Sequence, residues 1–115
     1  MNKYYARRCL CTCGHTHDSK KEAERCVELN ILCNVGKIKG LQIQRKFVLI
    51  PPHKYKQYDM PNEREVSYIA DFTYIEDGKL IVEDTKGYKT KDYIIKRKLF
   101  KEKYCQNGDM IFKEI

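Results

Sequence analysis

The spacing of apolar residues changes along the chain, and each change marks an element. Ser19-Lys20-Lys21-Glu22 has the form of a capping box. It predicts a helix over residues 19–35, stopped by Gly36. Ala23, Cys26, Val27, Leu29, Ile31 and Leu32 are its apolar positions. Residues 41–50 alternate like a strand, with Leu41, Ile43, Phe47 and Leu49 on one face, and Pro51-Pro52 ends it. Residues 53–65 are polar and are expected to be a mobile loop. Strands follow over 66–75 and 80–84, then a connection over 87–89 and a helix over 90–104. Tyr93, Phe100 and Tyr104 mark one side of that helix, with Ile95 and Leu99 on an adjacent stripe that Lys96 and Lys103 interrupt. Residues 110–115 make a last short strand. The order is helix, three strands, helix, strand, which predicts an α/β domain with a mixed central sheet and flanking helices.

The pair Asp77-Gly78, flanked by alternating residues, predicts a tight hairpin. A two-residue turn there sets paired numbers to a sum of 155, and Asp71 then faces Asp84. Cross-strand partners have Cβ atoms roughly 4.5–5.5 Å apart, and facing like charges destabilise unless neutralised. Ile69, Asp71, Thr73 and Ile75 share a face with Leu80, Val82, Asp84 and Lys86 in this register. Two acids and a lysine thus stand at one end of an otherwise apolar face. A hard divalent cation would neutralise the acids.

The chain has 115 residues, enough for one domain, and carries a formal net charge of +7. That excess favours a polyanionic partner, with nucleic acid the first choice. No run approaches the roughly 20 apolar residues of a membrane span, and no signal-peptide pattern opens the chain. A cytoplasmic protein with no membrane partner is expected. Its six cysteines do not read as a disulfide framework, because four crowd into residues 9–26. Residues 1–18 form a Cys/His-rich arm ahead of the main domain at 19–115. Cys11, Cys13, His17 and Cys26 are the candidate ligands of a structural Zn²⁺, with Cys9 an alternative to Cys11 and His15 to His17. Cys33 and Cys105 read as packing residues.

Glu22 in the first helical turn joins Asp71 and Asp84 as a candidate acid, and Gln44 on the first strand is a candidate DNA contact. Lys86 can steady developing negative charge. With Mg²⁺ or Mn²⁺ these groups supply what phosphodiester hydrolysis needs. The basic side of the second helix, Lys91, Arg97, Lys98 and Lys101, is placed to grip a phosphate backbone.

The strings Ser19-Lys20-Lys21-Glu22, Tyr68-Ile69-Ala70-Asp71-Phe72 and Val82-Glu83-Asp84-Thr85-Lys86-Gly87 resemble the PD-(D/E)XK nuclease superfamily. Within it they are similar to small phage and prophage endonucleases and to phage Holliday-junction resolving enzymes. The resemblance covers residues 19–115. It implies a restriction-endonuclease-like core of αβββαβ order and metal-dependent cleavage of branched DNA. It places Glu22, Asp71 and Asp84 around the metal with the Thr85 backbone carbonyl, and Lys86 beside the scissile phosphate. Lys89 joins the expected DNA contacts. Ala70 stands where the superfamily has Pro, and Asp84 where Glu is commoner. Paired cuts at a junction call for a homodimer. A general or nicking phage DNase is one alternative, and a non-catalytic zinc and DNA-binding protein on a degenerate nuclease core is another.

Overall fold

A computed structural model describes residues 19–55, 59–86 and 88–115. The 1–18 arm, with Cys9, Cys11, Cys13, His15 and His17, lies outside the described residues, as does Gly87. The elements run α1 (Lys20–Asn34), β1 (Lys39–Ile50), β2 (Val66–Glu76), β3 (Lys79–Asp84), α2 (Lys91–Tyr104) and β4 (Met110–Glu114). This is the expected order, with ends moved by one or two residues.

Ser19 caps α1, its Oγ accepting from the Glu22 amide at 3.1 Å. The helix closes in a Schellman arrangement around Gly36 at φ 83. Gly36 N–H donates to Cys33 and Lys37 N–H to Leu32. Thr90 caps α2 in the same way through the Tyr93 amide. The β2–β3 turn has Asp77 and Gly78 both at positive φ, as a two-residue I′ turn requires. Glu76 pairs with Lys79, and the register runs to Phe72 against Glu83, a constant sum of 155.

The sheet order is β1-β2-β3-β4, antiparallel except for parallel β3 and β4. Consecutive β3 residues separate the two sides. Ile81 packs with Cys26, Leu29 and Cys33 of α1, whereas Val82 packs with Tyr93 and Phe100 of α2. Because neighbouring strand residues point oppositely, the helices cover opposite faces. The architecture is an α/β domain with a four-stranded mixed sheet. Cys33 is buried under α1 and Cys105 packs at the edge of the α2 cluster, both as expected.

Several expectations are corrected. Leu41 and Ile43 pack with the α1 cluster, but Phe47 and Leu49 pack with the α2 cluster, so the four do not share one face. The reason is Gln44, whose φ of 52 interrupts the extended backbone between them. The Ile69-to-Ile75 face is not uniformly apolar and buried: Thr73 is sealed, while Ile69 and Ile75 are exposed. On α1, Val27 and Ile31 are exposed and Cys33 is buried instead. On α2, Ile95 is exposed. Within the polar 53–65 segment, His53 and Glu63 exchange backbone hydrogen bonds at 3.0 and 2.8 Å. No helix among the described residues is long and apolar enough to cross a membrane.

Candidate functional site

The β2–β3 register carries Asp71 and Asp84 to adjacent positions just past the last ladder pair, at the end of the hairpin away from its turn. Both are buried, Asp84 completely. Asp71 Oδ2 accepts two bonds from Thr85, one from its amide and one from Oγ1, each 2.9 Å. Asp84 Oδ2 accepts from the Tyr68 hydroxyl at 2.5 Å. Asp84 Oδ1 is buried with no hydrogen-bond partner, and Lys86 Nζ stands 3.6 Å from it.

Burial, then the neighbouring Asp71 carboxyl, push the Asp84 pKa up to about 7. Burial and then the bond to Asp84 also push the Tyr68 phenol well above its ordinary value, so it remains a donor. The Lys86 ammonium lies over the Tyr93 ring, 5.0 Å from its centroid. The Tyr93 hydroxyl donates to Glu114 at 2.5 Å. That bond and then Arg97 hold the Glu114 carboxyl below its usual range.

Glu22 is buried in the first turn of α1, and Gln44 Nε2 donates to its Oε2 at 3.3 Å. Gln44 lies between the register pairs Ile43–Phe72 and Arg45–Ala70, as does Asp71 on the facing strand. Among the described residues no three His, Cys, Asp or Glu side chains form a group that could hold a metal ion. The hairpin brings Asp71 and Asp84 together, and Glu22 is held by Gln44.

Glu83 follows alternation to the opposite face from Asp84. It is fully buried, accepts from Arg25 Nε at 2.8 Å and from a second guanidinium nitrogen at 2.6 Å, and also accepts from Tyr74. Of the expected zinc ligands, only Cys26 is among the described residues. It is buried in the cluster under α1, and Asn30 Nδ2 donates to its carbonyl at 2.9 Å.

Of the expected DNA contacts, Gln44 bonds Glu22, and the basic residues divide into two sets. Arg97 bonds Glu114 at 3.0 Å and Lys89 pairs with it at 3.9 Å. Lys91, Lys98 and Lys101 are exposed. An open cleft of about 300 Å³ is lined in part by Tyr68, Lys86, Thr90, Tyr93 and Lys96, and of these Tyr68 bonds Asp84 and Lys86 pairs with it.

The expectations from sequence did not include Tyr68, Tyr93 or the hydroxyl of Thr85. A buried tyrosine needs a partner for its hydroxyl, but alternation from Asp71 assigns Tyr68 to the wrong face to find Asp84.

Taken together this is an α/β domain with a buried carboxylate pair and an adjacent ammonium group at the open end of a hairpin. The chain belongs to the DUF1064 family, described as a protein of unknown function, and the match spans residues 1–115. No curated protein and no solved structure matches the chain.

Proposed function

We propose that the protein is a metal-dependent DNA endonuclease of the PD-(D/E)XK kind, with branched DNA as its preferred substrate. One observation carries the reading: Asp71 and Asp84 come together from adjacent strands, one buried carboxylate oxygen lacks a hydrogen-bond partner, and Lys86 lies 3.6 Å from that oxygen. Buried charges of like sign are costly without a counter-charge. The donor set fits Mg²⁺ or Mn²⁺, since hard cations take carboxylate oxygens. Asp71 and Asp84 would hold the ion. A bound divalent ion supplies Lewis acidity toward a phosphoryl oxygen and lowers the pKa of water.

The chain's own groups do the rest. Thr85 fixes Asp71. Lys86 offers positive charge where negative charge grows on the phosphoryl oxygens as water attacks phosphorus. The new P–O bond forms as the ester P–O bond breaks, and the departing oxygen takes up a proton. The net charge of +7 and the exposed Lys91, Lys98 and Lys101 suit a phosphate backbone. Two coordinated cuts at a junction call for a homodimer.

The test is cleavage of a four-way junction and of a linear duplex, each with Mg²⁺ or EDTA. Symmetric Mg²⁺-dependent cuts at the junction are expected. Equal cutting of the duplex would replace branch preference with general DNase activity. Binding without cleavage in any divalent metal would remove the enzyme reading altogether.

A further inference from the structure

We infer that Tyr68 is a positioning residue that decides which oxygen of Asp84 faces a divalent cation. The inference rests on the cation site proposed above and adds a residue to it. The Tyr68 hydroxyl donates to Oδ2 at 2.5 Å, while Oδ1 has no hydrogen-bond partner. A carboxylate held at one oxygen by a fixed donor cannot rotate freely, so the other oxygen is the one presented to the ion. Thr85 treats Asp71 in the same manner, with both of its bonds on Oδ2.

The phenol is itself immobilised. Tyr68 is 4% exposed, and its ring packs against Phe100 at 5.4 Å, Phe112 at 6.3 Å and Tyr93 at 6.5 Å between centroids. Tyr93 also carries the Lys86 ammonium on its face. One aromatic cluster thus sets both the acid and the lysine. Outer partners of metal-binding carboxylates orient the ligand, and losing one weakens metal binding by about 10–100-fold.

The experiment titrates Mn²⁺ into the full chain by calorimetry. It compares wild type, Tyr68→Phe, Asp84→Asn and the double variant, with Tyr104→Phe as control. Tyr104 donates to the Val48 carbonyl at 2.8 Å and has no bond to the acid pair. Tyr68→Phe keeps the ring and should weaken Mn²⁺ binding at least 10-fold. Tyr104→Phe should leave binding within twofold. Asp84→Asn removes the ligand itself and should abolish Mn²⁺ binding with or without the Tyr68 hydroxyl, so the coupling of Tyr68 to the site is judged by Tyr68→Phe against Tyr104→Phe. Near-UV circular dichroism of each variant reports whether the packing is retained, and the coupling is read from variants that retain it. Equal Mn²⁺ affinity in wild type and Tyr68→Phe overturns the role of Tyr68 while the cation site stands. No Mn²⁺ binding by wild type overturns the cation site and this inference together.

Discussion

Tyr68 and Asp84 meet at 2.5 Å although strict alternation along β2 and β3 puts them on opposite faces of the sheet. Asp71 follows the simple register to Asp84, and Tyr68 lies an odd number of residues before Asp71. The two can share a face only if alternation fails between them. It does: Ala70, Asp71, Phe72, Thr73 and Tyr74 are all buried in succession. Ala70 packs on the α2 side while Phe72 packs on the α1 side. The facing strand changes sides at the same level, at Gln44. This double change lets one hairpin send groups into both clusters and gathers the acids where it happens.

Gln44 at φ 52 is therefore a structural hinge of the site. Left-handed backbone is accessible to glycine and unfavourable to a β-branched residue. Gln44→Gly should leave unfolding free energy within about 1 kcal/mol of wild type, the relief of strain offsetting the missing bond to Glu22. Gln44→Val should lower it by about 2 kcal/mol. Urea denaturation measures both. Equal losses would show that backbone conformation at this residue is not what separates them.

Most of the scaffold was legible because it depends on local chemistry. Ser19 and Gly36 bound α1, Asp77-Gly78 makes the turn, and that turn brings Asp71 to Asp84 by arithmetic. Period-two reasoning then failed where the backbone departs from an extended strand, at Gln44, since nothing about a glutamine announces a positive φ. The partners of Asp84 and the cluster memberships of Phe47 and Leu49 were hidden for the same reason. Val27, Ile31 and Ile95 fit a helical stripe yet stay exposed, because a stripe wider than the packed face leaves its margin in solvent.

Asp84 makes metal-free stability depend on pH in a distinctive direction. Its folded pKa of about 7 lies above the ordinary 3.8. Between those values the folded chain binds more protons than the unfolded one, so stability falls as pH rises through the window. The slope is at most about 1.4 kcal/mol per pH unit from this group. In EDTA, wild type should be less stable at pH 8 than at pH 5.5 relative to Asp84→Asn. Mn²⁺ should raise the melting temperature of wild type more at pH 8, where no proton competes. A wild-type and Asp84→Asn difference that is flat with pH would show that this carboxyl titrates normally.

Arg25 and Glu83 join α1 to β3 by a bidentate pair, with the Glu83 carboxylate fully buried. The bond to Glu83 holds the Arg25 guanidinium above even its high ordinary pKa. Removing one partner strands a buried charge, whereas removing both does not. Arg25→Met should cost about 3 kcal/mol, and Arg25→Met with Glu83→Leu clearly less than the single change. Equilibrium unfolding of the two variants and wild type decides it. A double variant worse than Arg25→Met would mean that Glu83 has support enough from Tyr74 alone.

The basic residues of α2 should separate into two classes on DNA. Arg97 is committed to Glu114 and lies over the Tyr93 ring, with its centre 5.7 Å from the ring centroid. Lys98 and Lys101 are exposed, and each phosphate that a side chain ceases to neutralise lowers the slope of log affinity against log salt by about 0.9. Lys98→Gln with Lys101→Gln should reduce that slope by about 2 and leave the melting temperature unchanged within about 2 °C. Arg97→Gln should lower the melting temperature and barely change the slope. Fluorescence anisotropy of a labelled duplex in EDTA, titrated across salt, measures binding without cleavage. A slope change confined to Arg97→Gln would reverse the assignment and make the Glu114 pairing a resting state that DNA displaces.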